Sequence, residues 1–198
     1  MEWTLLTQEQ YLTTLWSGGT TTQMAIAPEG AVYADRDFLW RFSSARVELE
    51  HSDFTALPDY NRLISVLDGQ LDMKIDQGDR FKLAPLTVCS FDGGVSVESW
   101  GQCTDYNLML RKGKAQGSAQ SLVLEAGAAL SWTAAVPAPQ DYPNCTVAIY
   151  CVSGDVTVDG VQAQAGQFLL CRQADATAFV KLATEAGAAL MIAVIHTI

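Results

Sequence analysis

Asn61-Arg62-Leu63-Ile64-Ser65-Val66-Leu67-Asp68-Gly69 is an alternating apolar run that ends in an Asp-Gly pair. The residues that follow, Gln70 to Asp76, alternate again, and two such runs on either side of an Asp-Gly turn predict a β-hairpin. Arg62 is the exception in this pattern. A strand that buries one face carries a guanidinium only when that charge has a partner or a ligand, so Arg62 becomes the first candidate functional residue.

Further short apolar or alternating runs flank this stretch on both sides, each bounded by Gly, Pro, Ser or Asp turns. Many short strands separated by regular turns predict a β-sandwich, jelly roll or barrel. The clearest of these predicted strands are residues 20–27, 38–49, 95–100 and 105–110, and residues 81–91 predict one or two further strands interrupted at Pro85.

Two segments interrupt the predicted strands. Residues 7–16 predict one short N-terminal helix, because Thr7 and Gln10 have capping-box spacing and the apolar residues share a helical face. Residues 111–118 are basic, small and polar, which predicts a linker. We therefore expect two halves, 1–113 and 114–198, packed as one compact unit.

The composition limits the classes of function. With 198 residues, 49% of them hydrophobic and 17% charged, the chain can build a core. Its net charge of −10 argues against a nucleic-acid partner, because such partners require clustered Lys and Arg. The sequence has no secretory signal and no membrane-length apolar run, so we expect a cytoplasmic protein. Its five cysteines form no Cys-x-x-Cys pair and are expected to be free thiols.

The two halves show a weak internal repeat. Ile64 to Gly69 is followed by an alternating run, Ile149 to Gly154 is followed by a similar one, and each pair of runs predicts a hairpin. Strand sequences converge on such patterns, but this arrangement fits a duplicated β-barrel.

Several stretches together resemble a known family. The segments VLDGQLDMKI and GDRFKLAPLTVCSF resemble the cupin barrel, and the repeat resembles a bicupin. More specifically, the chain is similar to the HutD/Ves family. The stretches that carry this resemblance are Trp16 to Thr21, Arg36 to Ala45, Asp53 to Pro58, Arg62 to Gly69 and Asp105 to Arg111.

The resemblance implies an all-β bicupin, with two β-barrel or jelly-roll cupin halves and little helix, forming a homodimer in the bacterial cytoplasm. It also links the protein with histidine utilisation and with binding of a small pathway metabolite such as formylglutamate. No catalytic activity is established for the family, so the resemblance bears more on fold than on function.

A metal-binding cupin carries histidines and a glutamate that converge inside the barrel. In this sequence Arg62 stands at the glutamate position relative to Gly69, and Val147 stands at the corresponding place before Gly154. Arginine is permanently charged and cannot ligate a transition metal well. We therefore expect neither a metal nor another cofactor.

A guanidinium in place of a metal ligand suits a carboxylate, because it presents a fork of hydrogen-bond donors. The predicted ligand-binding residues are Arg41, Ser43, Arg62, Asp105 and Asn107. A structural alternative is that Arg62 and Asp105 form a buried salt bridge or that Arg41 caps a sheet edge.

Three functions remain open at this point. The first is a metal-free, regulatory protein that binds a small acidic metabolite without catalysing a reaction. The second is a metal-independent isomerase or epimerase, in which Asp105 would serve as the general base. The third is a structural module whose barrels are filled with side chains. The strand register decides between them, since a shift of one residue moves Arg41 and Arg62 to the opposite face.

Overall fold

Strands are the main regular elements of the chain, and the computed structural model describes residues 1–133, 139–175 and 177–198. In chain order the strands are β1 (Thr4–Leu6), β2 (Leu12–Trp16), β3 (Gly19–Ala27), β4 (Trp40–Val47), β5 (His51–Asp53), β6 (Tyr60–Gly69), β7 (Leu71–Ile75), β8 (Phe81–Leu83), β9 (Cys89–Asp92), β10 (Val97–Trp100), β11 (Cys103–Arg111), β12 (Ala115–Leu124), β13 (Ala129–Trp132), β14 (Asn144–Val158), β15 (Val161–Gln164), β16 (Phe168–Arg172), β17 (Val180–Ala183) and β18 (Ala188–Thr197). Within these ranges the helical elements are two short 3-10 turns, Gln8–Gln10 and Tyr33–Asp35. The predicted all-β class is confirmed. None of the helical elements described has the length and hydropathy needed to cross a membrane.

Residues 7–16, predicted as a helix, form a 3-10 turn followed by strand β2. The predicted capping contact exists, because the Thr7 amide and hydroxyl both donate to Gln10 Oε1, at 2.7 and 3.1 Å. It closes a single turn only, since β2 then pairs with β3 along its whole length. Leu12 and Leu15 stay exposed instead of forming a buried helical face. The helix prediction is wrong because β-branched threonines and the neighbouring strand favour extended backbone.

The N-terminal unit, Tyr11–Lys114, contains two antiparallel sheets. The six-stranded sheet has the order β2-β3-β4-β11-β6-β9, and the four-stranded sheet has the order β5-β10-β7-β8. Residues from both sheets form one buried hydrophobic cluster, so the two sheets pack as layers around a shared core. This cluster contains Val47, Ile64, Val66, Leu71, Met73, Leu83, Phe91, Val97 and Cys103.

The C-terminal unit comprises Met1–Gln10 and Ala115–Ile198. Its sheet is organised by the 15-residue strand β14, which pairs with β16 and β18 through its first part and with β15 and β17 through its end. Strand β1 adds to this sheet by pairing with β16. Cross-strand residues Val147, Ile149, Leu169, Ile192 and Val194 belong to its buried core.

The segment around Gly69 turns the chain between sheets and does not close a hairpin. Strand β6 pairs with β9 and β11, whereas β7 pairs with β8 and β10, so the two consecutive runs lie in different sheets. The second predicted hairpin is likewise one continuous strand, β14, which bends at Gly154. Both hairpin predictions are wrong. Glycine occurs at tight turns and also at bends within a strand, and here each glycine marks a bend.

The internal repeat is nevertheless present in the backbone of both units. Gly69 has φ 85° and lies opposite Cys103, and Gly154 has φ 76° and lies opposite Ala188. Each glycine follows a β-bulge in its own strand. In β6 the bulge lies between the residues that pair with Thr104 and Asp105, and in β14 it lies between Cys151 and Ser153. Bulge and positive-φ glycine together bend the strand from one sheet toward the next.

The boundary between the units follows a tight turn. Lys114 N donates to Arg111 O, and β12 begins at Ala115, so most of the predicted linker over 111–118 is strand. Because β1 pairs with β16, the first ten residues belong with the C-terminal unit. The division into 1–113 and 114–198 stays a prediction.

We expect Gly69→Ala and Gly154→Ala each to lower the free energy of unfolding by at least about 2 kcal/mol. An added Cβ would collide with the Gln102 carbonyl oxygen in one case and the Gly187 carbonyl oxygen in the other. Gly113→Ala is the matched control, because Gly113 also has a positive φ (71°) but has open space around it. Urea denaturation should show a loss of only about 1 kcal/mol for this control. Equal losses in all three variants would contradict the proposed backbone contacts.

Candidate functional site

The candidate site is built by two cross-strand rows on one face of the six-stranded sheet. Met109 on the central strand β11 lies between Arg41 on β4 and Arg62 on β6. Asn107, two residues earlier on β11, lies opposite Ser43. Directly paired residues share a face of a sheet, as do residues two apart on one strand, so this register places the four polar side chains together.

A cavity of about 290 Å³ opens over this face in the N-terminal unit. All five predicted residues, Arg41, Ser43, Arg62, Asp105 and Asn107, line it, and all five are buried. The question of strand register is thus answered, since both arginines reach the same interior. The role of these residues in ligand binding stays a prediction.

Arg41 is fixed by neutral partners. Its Nε donates to Gln23 Oε1 at 2.7 Å, and its Nη1 donates to Ser43 Oγ at 2.9 Å. Burial and the positive charges of Arg36 and Arg62 lower the pKa of Arg41 to about 10, although Tyr33 and Asp105 act to raise it. The side chain therefore remains charged at neutral pH but lacks a charged partner of its own.

Arg62 is held even more loosely by hydrogen bonds. Its Nη1 donates to the Thr55 carbonyl oxygen at 3.4 Å, and its buried Nε has no hydrogen-bond partner among the described residues. The guanidinium instead lies 4.8 Å from the Phe54 ring centroid and 5.5 Å from that of Phe91. Burial lowers the pKa of Arg62, and the nearby Asp105 carboxylate opposes this effect. Aromatic faces give partial compensation for a cation, and one donor is left unsatisfied.

Asp105 is the buried acid of the cavity. Its Oδ1 accepts a hydrogen bond from the Ala45 amide at 2.6 Å. Burial raises the pKa of Asp105 to about 6, although the Ala45 hydrogen bond and the charges of Arg62 and Arg41 all act to lower it. A carboxyl with this pKa changes its charge near physiological pH.

Neither arginine forms the predicted salt bridge with Asp105. Among the ion pairs of residues 1–133, 139–175 and 177–198, none joins a carboxylate to Arg41 or Arg62 within 4.0 Å. Arg41 does not cap a sheet edge either, because β4 is paired on both sides. The predicted Arg62–Asp105 salt bridge and the predicted edge cap by Arg41 are therefore both wrong.

Two further site residues, Tyr33 and Arg36, were missed by sequence reasoning. The guanidinium carbons of Arg36 and Arg41 lie 3.9 and 4.1 Å from the centroid of the Tyr33 ring, and all three residues line the cavity. Arg36 Nη1 is buried without a hydrogen-bond partner. Arg36 begins one of the stretches that resemble the HutD/Ves family, which was the available signal. Its position depends on a left-handed backbone (φ 56°) after a 3-10 turn, which strand alternation does not predict.

The charged lining of the cavity comprises three guanidinium groups and two carboxylates, Asp53 and Asp105. It includes no histidine among the described residues. Beside the cavity, ligand atoms of His51, Asp53 and Glu98 lie within 4.8 Å of one another. Within this cluster Glu98 lies 3.7 Å from His51, and its other carboxylate oxygen lies 3.5 Å from Lys74.

The all-β fold, almost without helix, has solved cupin-like proteins as its structural neighbours. The HutD family model matches residues 8–191, and the chain belongs to the HutD family.

The similar structures agree over nearly the whole chain. The conserved protein of unknown function PA5104 from Pseudomonas aeruginosa PAO1 is 22% identical with a TM-score of 0.80, covering 98% of this chain and 99% of that one. HutD from Pseudomonas fluorescens SBW25 is 20% identical with a TM-score of 0.76 and the same coverage. The Escherichia coli bacterial pirin YhhW, in complex with nickel(II), is 9% identical with a TM-score of 0.71, covering 100% of both chains. At these identities the likeness concerns the fold. Comparison with curated protein sequences gives no match.

We expect Asp105→Asn to remove one pH-dependent contribution to stability. Because burial raises the folded-state pKa to about 6, while an unfolded carboxyl titrates near 4, the contribution is present below about pH 4 and is lost as the pH rises through 6. Relative to the Asn variant, the wild type should lose roughly 2–3 kcal/mol of unfolding free energy between pH 4 and pH 7.

Urea denaturation of both proteins at several pH values measures this difference, and the other carboxyl groups cancel in the comparison. Asparagine retains an oxygen that can accept the Ala45 hydrogen bond. A difference between the two proteins that does not vary with pH would show that Asp105 is not a buried titrating group.

Proposed function

We propose that this protein is a metal-free bicupin that binds a small carboxylate metabolite in the cavity of its N-terminal unit and acts as a regulatory protein. The observation that carries the proposal is the pair of buried arginines, Arg41 and Arg62, which line a cavity without forming an ion pair to any residue that the structure describes. A buried guanidinium is stabilised only when an anion and further hydrogen-bond acceptors compensate for its lost hydration.

A carboxylate supplies what the arginines lack. The unpartnered Nε of Arg62 and Nη1 of Arg36 are donors, and a carboxylate has two oxygens that accept such hydrogen bonds in a planar arrangement. Ser43 and Asn107 add neutral polar groups, and the buried Oδ1 of Asn107 has no hydrogen-bond partner. A donor on the ligand, such as an amide or imidazole N–H, would satisfy that acceptor.

The dimensions of the cavity favour a small metabolite. A volume of about 290 Å³ lies at the lower end of the range for small-molecule pockets. A cavity beside Arg62 also disagrees with a structural module whose interior is completely filled. The bicupin description is supported by the repeated bend at Gly69 and Gly154, one in each unit.

Membership of the HutD family supports a ligand from histidine utilisation, such as formylglutamate or urocanate. The structure of HutD from Pseudomonas fluorescens SBW25 was determined in a formate condition, and formate is the simplest carboxylate. These points favour a cytoplasmic role in sensing a pathway acid.

We expect formylglutamate, urocanate or formate to raise the melting temperature of the wild-type protein and to have a greatly reduced effect on Arg62→Lys. Lysine keeps the positive charge but loses the forked donors, which should weaken binding roughly tenfold or more. Arg80→Lys is the matched control, because Arg80 is exposed, pairs with Asp72 and does not line the cavity. The proposal fails if none of the three acids stabilises the protein, or if both variants respond as the wild type does.

The same cavity also favours a second function, a metal-independent isomerase or epimerase. Its supporting observation is Asp105, whose pKa of about 6 suits a general base near neutral pH. On any substrate that is turned over, the pH–rate profile should show one ionisation near pH 6, and Asp105→Asn should abolish the reaction. Unchanged turnover by this variant would exclude Asp105 as the base.

A further inference from the structure

Asp105 occupies an unusual position for an acidic residue in an anion site. It is 4% exposed and lies in the same cavity as Arg41 and Arg62. Its carboxylate accepts a hydrogen bond at Oδ1 from the Ala45 amide, and its backbone oxygen accepts one from Ser44 Oγ. Each arginine remains more than 4.0 Å from it, so the carboxylate acts on both charges without neutralising either.

A bound anion would place a second negative charge in this buried space. Two carboxylates that share a buried site cannot both remain ionised at low cost, and one of them takes up a proton. The ligand would also accept the hydrogen bonds and attract the charges of the arginines, which otherwise favour ionised Asp105. Both effects favour the neutral form of Asp105 in the complex.

We infer that Asp105 takes up one proton from solvent when a carboxylate binds, and that its protonated carboxyl then donates a hydrogen bond to the ligand. This inference rests on the proposed carboxylate-binding function and adds a linkage between binding and pH. In this arrangement the proton moves from a buffer molecule to Asp105, no covalent bond to the ligand forms, and the charge of the site stays constant. Asp105 is thus a specificity-determining residue that favours anionic ligands able to accept a hydrogen bond from its O–H group.

The other groups around Asp105 leave it as the proton acceptor. Arg41 faces it from β4 and Arg62 from β6, and both remain charged near neutral pH. Cys103 lies on the same strand, and burial raises the pKa of its thiol to about 12, so it stays protonated. The remaining charged or titratable groups of the cavity lining are Tyr33 and Arg36, from the 3-10 turn and the residue after it, and Asp53, from β5.

Isothermal titration calorimetry with formate, and with formylglutamate as a second probe, tests this inference on the full chain. Titrations at pH 7.0 in Bis-Tris and in Tris compare two cationic buffers with different ionisation enthalpies, neither of which carries an anionic group or an imidazole ring. The wild type should take up close to one proton per bound carboxylate. Its affinity should fall by up to about tenfold per pH unit between pH 6.5 and 8.0.

Three variants assign the proton. Asp105→Asn should bind at least as tightly as the wild type at pH 7.5, with no proton uptake and no pH dependence in this window. Asp53→Asn removes the exposed carboxyl of the same cavity and should keep the proton uptake. Arg62→Lys should weaken binding at every pH.

Each remaining outcome has a definite meaning. Binding that depends on Arg62 but gives equal heats in the two buffers overturns the proton uptake and leaves the proposed function standing. Uptake that persists in Asp105→Asn assigns the proton to another group and overturns the inference. Failure of both carboxylates to bind, or equal binding by Arg62→Lys, overturns the inference together with the proposed function.

Discussion

The antiparallel pairing of β11 with β4 on one side and β6 on the other is the constraint on which the candidate site depends. Met109 is hydrogen-bonded into the ladder between Arg41 and Arg62, so the two guanidinium groups enter one cavity from different strands. Because side chains alternate along a strand, a slip of one residue would send both charges to the opposite face. The bulge in β6 opposite Thr104 and Asp105 then sets where the carboxylate of Asp105 meets this row.

This register buries charged side chains, and the contacts within the protein compensate for their lost hydration only in part. Arg41 has neutral hydrogen-bond partners, Arg62 has two aromatic faces and one weak carbonyl contact, and Asp105 is bonded to a backbone amide. A fold selected only for stability would pair the charges or replace them with apolar side chains. Buried charges that stay apart in a cavity are more consistent with a site whose compensation arrives with a ligand.

Strand alternation and the family resemblance were sufficient to predict the all-β class and to single out Arg41, Ser43 and Arg62 as candidates, but the register that places both arginines on one face comes only from the strand pairing. They did not predict whether Gly69 closes a hairpin or bends a strand, because an Asp-Gly pair with alternating flanks fits both. The deciding contact is the approach of Gly69 to the Gln102 backbone, which lies far away in sequence. Tyr33 was missed for a similar reason, since an irregular turn carries no periodicity from which the direction of a side chain can be derived.

The repeat shows how one backbone plan gives different interiors in the two units. Seven residues before its bend glycine, the N-terminal unit has Arg62 and the C-terminal unit has Val147. Position by position along the paired central strands, Asp105 corresponds to Leu190 and Asn107 to Ile192. The C-terminal residues all belong to a continuous buried hydrophobic core. Apolar side chains at these positions stabilise the C-terminal unit through packing. The polar side chains of the N-terminal unit line a cavity instead and lack this packing energy. Since the bulge, the glycine and the register are common to both units, the difference between the two interiors follows from side chains and not from the fold.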